Sequence, residues 1–298
     1  MTDDVTARIS EVFADAGATG WLHAVAADGS SADDVDVDGD RPVAIASVYK
    51  LPLLVAMMRM VDGGRLDPTE AVTLRPDDRT VGPTGISTLS DAVTMSWRDL
   101  AAMMMAVSDN AAADAILRRV GIDDVAETLR ALGLPRSRIV GGTADAYRLL
   151  HVDTGTTRLA DAMAALTSAD QSVAPRAYDP VHSSSATARD MTTLLTSIWT
   201  DRAATPPSCA VIRTLMSRQV RNARIASGFA FTGVRIAGKT GTLGALRHEV
   251  GVVQFDDERP YAVAVFTQSA RAAAVQPRVD AAVGYAARLA VDHLRGIG

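Results

Sequence analysis

Lysine is nearly absent from this chain: of its 30 basic residues only Lys50 and Lys239 are lysines, and 28 are arginines. Arginine keeps its proton in any protein setting, whereas a lysine gives its proton up once buried. A GC-rich genome explains the arginine excess but not where the two lysines stand. Cysteine is scarcer still. Cys209 is the single one, so no internal disulfide exists, and behind Pro206 and Pro207 it has no partner spacing for metal or redox work. No apolar run approaches the roughly 18 residues that a membrane-spanning helix needs, so no membrane partner is expected. The opening Met1-Thr2-Asp3-Asp4 is acidic and lacks the basic-then-apolar order of a secretion signal. The expectation is a cytoplasmic protein, or a sequence from which a leader has been removed. Excess positive charge is missing too: a net charge of −5 argues against nucleic acid as the main partner. The histidines (23, 151, 182, 248 and 293) show no ligand spacing, so a metallo-hydrolase is disfavoured. No metal or cofactor is expected.

What is present suffices for a sizeable core. The 298 residues are 48% hydrophobic and 22% charged, which fits one large domain or two interleaved lobes. Residues 4–16 read as an amphipathic helix with Val5, Ile9, Val12 and Phe13 on one side. Trp21–Ala27 reads as a strand, followed by a turn at Asp28-Gly29-Ser30 and an alternating strand over Asp34–Asp38. Residues 46–223 are mainly helical, with loops around 76–90 and 135–186. Strand-like runs return at Gly233–Gly238, Glu249–Phe255 and Tyr261–Thr267, and a helix over Pro277–Arg295 closes the chain. The fold class is therefore α/β of the α+β kind. One domain over 1–298 is expected, its α/β lobe made from residues 1–45 and 224–298 and its helical lobe from 46–223. Asp34, Asp36 and Asp38-Gly39 mimic part of a calcium loop, but Ile45 stands where a bidentate glutamate is required. The plainer reading is a hairpin with valines inward and aspartates in water.

Three short motifs carry candidate chemistry. In Ser47-Val48-Tyr49-Lys50, the i and i+3 positions share a helix face, so the lysine amine can reach the serine hydroxyl. A serine becomes a nucleophile only when a base takes its proton, and a desolvated lysine can be that base. Pro52 should disturb the first turns of this helix. In Ser108-Asp109-Asn110 the ordinary reading is helix capping, since all three types are preferred N-caps. The functional reading makes Ser108 a proton relay and Asn110 a donor to a substrate amide. Lys239-Thr240-Gly241-Thr242 follows the strand-like Val234–Gly238. Lys239 would supply positive charge and the threonines would bind a carboxylate, while Gly241 allows close approach. The backbone N–H groups of Ser47 and Thr242 could form an oxyanion hole. The ordinary alternative is a plain strand end. Each motif alone is weak, yet together they use both lysines of the chain.

This set resembles the penicillin-recognising serine enzymes, most closely the class A β-lactamases. Ala46–Pro52 looks like that family's nucleophile helix, and Trp97-Arg98-Asp99-Leu100 like the helix that leads to Ser108-Asp109-Asn110. Thr187-Ala188-Arg189-Asp190-Met191 resembles the helix after the family's omega loop. Arg247-His248-Glu249 resembles the strand after the Lys-Thr-Gly strand. The resemblance implies an antiparallel sheet lobe with an inserted helical lobe. It also implies Ser47 as nucleophile, Lys50 as base and Ser108 as proton shuttle. Lys239, Thr240, Gly241 and Thr242 would form the carboxylate site, and Asn110 would hold the substrate's side-chain amide.

One departure stands out. The family's omega-loop Glu-x-x-Leu-Asn, whose glutamate activates the deacylating water, is missing, and residues 139–202 contain no glutamate. The segment 134–187 is also longer than that loop. Asp145, Asp153 and Asp179 are candidate substitutes, as are His151 and His182, though each is an ordinary loop residue by default. The expected function is a serine hydrolase acting through a Ser47 acyl-enzyme on a β-lactam or related amide or ester, with slow deacylation. The alternatives are a D-alanyl-D-alanine peptidase or small esterase, and a binding protein that β-lactams acylate without turnover. The partner is in each case a small molecule. An α/β-hydrolase is disfavoured, since no Gly-x-Ser-x-Gly elbow occurs.

Overall fold

The computed structural model describes residues 2–167 and 175–297. Helix α1 (Thr2–Asp15) leads into strands β1 (Ala18–Ala26), β2 (Asp34–Val37) and the short β3 (Val43–Ala44). A 3₁₀ turn, Ala46–Tyr49, runs straight into α2 (Lys50–Asp62). Strands β4 (Ala71–Leu74) and β5 (Val93–Ser96) pair as a ribbon before α3 (Trp97–Ala106), α4 (Asn110–Val120) and α5 (Ile122–Ala131). Next come α6 (Thr143–Thr154), α7 (Leu159–Thr167), β6 (Ser185–Ala186), α8 (Ala188–Trp199) and α9 (Pro206–Ser217). Strands β7 (Val234–Leu243), β8 (Leu246–Phe255) and β9 (Tyr261–Ser269) precede the last helix, α10 (Pro277–Leu294).

The main sheet has the order β2-β1-β9-β8-β7, and every neighbouring pair is antiparallel. The first strand thus pairs with the last, Trp21 opposite Phe266 and Leu22 opposite Val265. Side chains alternate between the faces of a strand, and here both faces are covered. Leu22, Val263 and Val265 pack with Ile9, Phe13, Val283 and Ala287 of α1 and α10. Trp21, Ala264 and Phe266 turn to the opposite core, shared with Leu194 of α8, Ile212 of α9 and Met57 of α2. Cover on both faces is why β8 and β9 are buried at nearly every position, and why β9 opens as an apolar run rather than an alternating one.

Several expectations need correction. The stretch read as a loop over 135–186 holds α6 and α7, while its residues 168–174 lie outside the described residues. In α6 only Thr143 and Leu150 are buried, so the periodic apolar signal of a helix is nearly lost. Lys239-Thr240-Gly241-Thr242 does not end a strand but lies within β7, paired through Lys239–Val250 and Thr242–Arg247. Gly238 and Gly241 look like breakers in sequence, yet the main-chain ladder runs through both. Pro52 is the third residue of α2, in the first turn, where an N–H has no intrahelical acceptor to lose. In the acidic hairpin Val35 is buried and Asp38 is exposed as expected, but Asp34 and Asp36 are not left to water. Arg189 of α8 gathers Asp34 at 2.9 Å, Asp40 at 3.3 Å and Asp36, tying the hairpin to α8. No helix among the described residues is long and apolar enough to cross a membrane.

Candidate functional site

Ser47 sits in the 3₁₀ turn that hands the chain to α2, and Lys50 is the first residue of that helix. The residue before Ser47, Ala46, has φ of +44°, and Ser108 has φ of +58°. Left-handed backbone at a non-glycine residue costs on the order of 1–2 kcal/mol and is tolerated where the surroundings enforce it. At Ser108 the effect is to turn both its carbonyl and its hydroxyl toward Lys50. Lys50 Nζ donates to Ser108 O at 2.6 Å, to Asn110 Oδ1 at 2.8 Å and to Ser108 Oγ at 3.3 Å. Three hydrogen bonds use all the donors of an ammonium. A neutral amine has one donor fewer and a free lone pair, and only in that state could it take a proton from Ser47.

Burial favours the neutral state. Lys50 is wholly buried, and desolvation lowers its pKa from 10.5 to about 7, against the opposing pull of Asp114 and Asp109. Lys239 reaches the same hydroxyl from the other side: its Nζ donates to Ser108 Oγ at 2.9 Å and to Thr240 O at 2.7 Å. Burial and the neighbouring Lys50 charge hold the Lys239 pKa well below the usual lysine range, with Glu249 opposing. The two lysines of the chain therefore converge on one serine hydroxyl. Both lie beneath the surface at 0% exposure, while Ser47, Ser108, Asn110, Thr240 and Thr242 line a cleft of about 1340 Å³ above them.

Asp109 caps α4, accepting from Ala112 N at 2.9 Å, and its other oxygen holds Ile86 N of the adjacent loop. Capping and site-building thus coexist in one motif, with Ser108 and Asn110 facing the lysines. On β7, the Cβ that Gly241 lacks would lie 2.6 Å from Ile45 O and 2.9 Å from Val48 Cγ2. Glycine at this position lets β7 press against the turn that carries Ser47. Exposed Thr242 takes a hydrogen bond from Arg224 Nη2 at 2.7 Å. Arg224 is itself 4% exposed, bound to Asp280 and to the carbonyls of Gly241 and His248. A buried guanidinium thus stands behind the proposed carboxylate end of the site.

Sequence reasoning missed several groups here. Asp114 is 4% exposed and accepts from Tyr49 OH, Thr143 N, Thr80 Oγ1 and Ala144 N at 2.6–3.1 Å. It stands one turn after Asn110, a spacing that was available as a signal. Arg224, Gln219 and Tyr147 carried none. Gln219 links the strand edge, accepting from Thr240 N at 2.6 Å and donating to buried Glu249 at 2.7 Å. The candidate deacylation bases are otherwise engaged. Asp145 holds Gly142 N and Arg148, Asp153 holds Arg176, and Asp179 holds Val181 N. His151 touches Thr156, and His182 lies 3.8 Å from Asp179. His248 is buried with Nε2 against Ala44 O and Nδ1 accepting from Thr267 N, and burial lowers its pKa to about 3. Cys209 is buried, its thiol against Ala204 O. The His23, Asp34 and Asp36 trio has metal-ligand spacing, but Arg189 binds both carboxylates and His23 Nδ1 meets Thr192 at 2.6 Å.

The sheet order, its two helical coverings and the three-motif cleft define the fold of the class A β-lactamases and related penicillin-binding proteins. The chain belongs to the β-lactamase enzyme family, whose model matches residues 4–294. A β-lactamase structure from Sphaerobacter thermophilus DSM 20745 superposes with a TM-score of 0.79 at 24% identity, covering 99% of this chain and 98% of that one. The structure of PBP-A gives 0.78 at 21% identity, covering 98% and 96%. The β-lactamase regulatory protein BlaB of Streptomyces cacaoi is 30% identical over 290 residues, 88% of this chain and 89% of that protein.

Proposed function

We propose that the protein is a serine hydrolase that forms an acyl-enzyme at Ser47 with a β-lactam or a related amide or ester, and that releases it slowly. The observation that carries this reading is the Ser108 hydroxyl held between Lys50 and Lys239, at the floor of the cleft that Ser47 lines. Neutral Lys50 takes the Ser47 proton as Oγ bonds to the substrate carbonyl carbon. The N–H groups of Ser47 and Thr242 hold the oxyanion, a contribution worth about 10²–10³-fold per donor. The carbon–nitrogen bond then breaks, and the leaving nitrogen receives its proton through Ser108 from the lysines. Thr240, Thr242 and the charge of Arg224 receive the carboxylate.

Deacylation needs a further base near the acyl carbonyl, and the three candidate aspartates are bound to backbone or arginine. Typical enzymes turn over at roughly 1–10³ s⁻¹, and losing a general base costs about 10²–10⁴-fold. Release at about one per second or far slower follows. The regulatory name of the Streptomyces cacaoi relative favours a second reading, a sensor that stops after one equivalent.

The test is to mix protein and penicillin G, quench at intervals, and follow adduct mass on the Ser47 peptide with product in parallel. The expected result is an adduct that persists for seconds or longer, absent in Ser47→Ala. Product beyond one equivalent favours the hydrolase, and a single turnover the sensor. An adduct clearing in milliseconds during sustained hydrolysis would overturn the slow release, and acylation of Ser47→Ala at the wild-type rate would overturn the nucleophile.

A further inference from the structure

The resemblance gives Asn110 the task of holding the substrate's side-chain amide, yet the structure leaves it no donor for that task. A backbone carbonyl only accepts, so the Val81 O contact fixes which end of the Asn110 amide is nitrogen and leaves the oxygen to Lys50. Oδ1 accepts from Lys50 at 2.8 Å and from Thr143 Oγ1 at 3.4 Å. Nδ2 has two hydrogens, and both are used: one goes to Val81 O at 3.0 Å, the other to Tyr147 OH at 3.1 Å. The side chain is saturated and 6% exposed.

Tyr147 is in the opposite condition. Its oxygen accepts from Asn110, and among the described residues its own O–H has no acceptor. The ring comes from α6, in the segment longer than the family's loop, and it lines the same cleft as Ser47 and Asn110. A hydroxyl that accepts from one amide is polarised to donate more strongly to the next group. We propose that Tyr147 is the specificity-determining donor of this site, its hydroxyl binding the acyl side-chain carbonyl of the substrate in place of Asn110. The preferred substrates would then be acylamino compounds, with a carbonyl beside the scissile bond. Burial keeps the phenol above its usual pKa, so it remains a donor across the working range.

This inference rests on Ser47 acylation, and the test separates the two. Acylation rates of wild type and Tyr147→Phe are measured by intact mass with penicillin G, which has the acylamino carbonyl, and with 6-aminopenicillanic acid, which lacks it. Loss of one hydrogen bond to a neutral acceptor predicts a fall on the order of 10-fold for penicillin G and little change for 6-aminopenicillanic acid. Thermal melting of both proteins is the control for folding. Equal losses on the two substrates, or no loss on penicillin G, would overturn the role of Tyr147 while leaving Ser47 in place. A wild-type protein labelled by neither compound would overturn the acyl-enzyme reading, and this inference with it.

Discussion

Acylation should follow the protonation of Lys50, which makes its pH profile the most direct probe of the buried amine. Burial lowers the Lys50 pKa from 10.5 to about 7. Such a displacement corresponds to a free-energy difference on the order of 5 kcal/mol between the two protonation states. Between those values the unfolded chain holds this proton and the folded chain does not, so this lysine's share of stability rises with pH. For catalysis the useful species is the neutral amine: about one molecule in ten at pH 6, about half at pH 7 and about nine in ten at pH 8. The second-order acylation constant should therefore climb nearly tenfold from pH 6 to 8 and level off above. Lys50→Arg keeps a permanent charge at the same position and should cost at least the 10²–10⁴-fold typical of a lost general base. Lys239→Arg should lose less, because the part proposed for it is to donate to Ser108 Oγ, which an arginine can also do, and it should keep the inflexion. Rates from stopped-flow or quenched mass spectrometry, taken from pH 5.5 to 9.5, decide it. A flat profile, an inflexion near 10, or equal losses at the two lysines would refute the reasoning.

Two substitutions test the backbone that presents Ser47. Gly241→Ala puts a Cβ 2.6 Å from Ile45 O, so β7 must retreat from the nucleophile turn. Denaturant titration should show a loss of about 1–3 kcal/mol, as in overpacked cores, with acylation falling further than that loss explains; unchanged stability and rate would contradict the close approach. Ala46→Gly acts the other way, since φ of +44° suits glycine. Relief of left-handed strain against glycine's extra unfolded-state entropy predicts a gain of about 0.5–1 kcal/mol. A loss above 1 kcal/mol would show that the Ala46 methyl contributes more than its backbone conformation costs.

The sequence discloses the parts of this molecule whose signals are local. Apolar runs at Tyr261–Thr267 and the periodic Pro277–Arg295 helix needed only burial on one or two faces, and the structure has both. The scarcity of lysine marked Lys50 and Lys239 before any fold was known, and both prove wholly buried. What stayed hidden depends on contacts between distant segments. Arg224 is one arginine among 28, and nothing but the meeting of its loop with β7 and α10 distinguishes it. Tyr147 lies on a helix with so narrow a buried face that its periodicity is lost, so neither the helix nor its approach to Asn110 could be read.

The same contrast bears on how a family site changes its use. The acylation residues sit on short, rigid pieces: a 3₁₀ turn, a capped helix start and a central stretch of β7. Their positions are fixed by buried charges, with Asp114 and Asp109 beside Lys50 and Glu249 beside Lys239. Removing any of these would leave another buried charge unpaired, an expensive change. Among the described residues, the segment bearing α6 and α7 meets that frame through the Asp114 bonds to Thr143 and Ala144, the Asn110 bond to Tyr147, the Thr143 bonds to Tyr49 and Asn110, and the packing of Leu150, Ala162 and Leu166 with Leu243 and Leu246. The hydrogen-bond partners of Lys50 and Lys239 among the described residues, namely Ser108, Asn110 and Thr240, all lie outside α6 and α7. On the proposed function, the deacylating base and the substrate-amide donor can therefore change without replacing a direct partner of either lysine. The proposed capture with slow release is compatible with such a division of the fold, and it would serve a sensor and a slow hydrolase equally well.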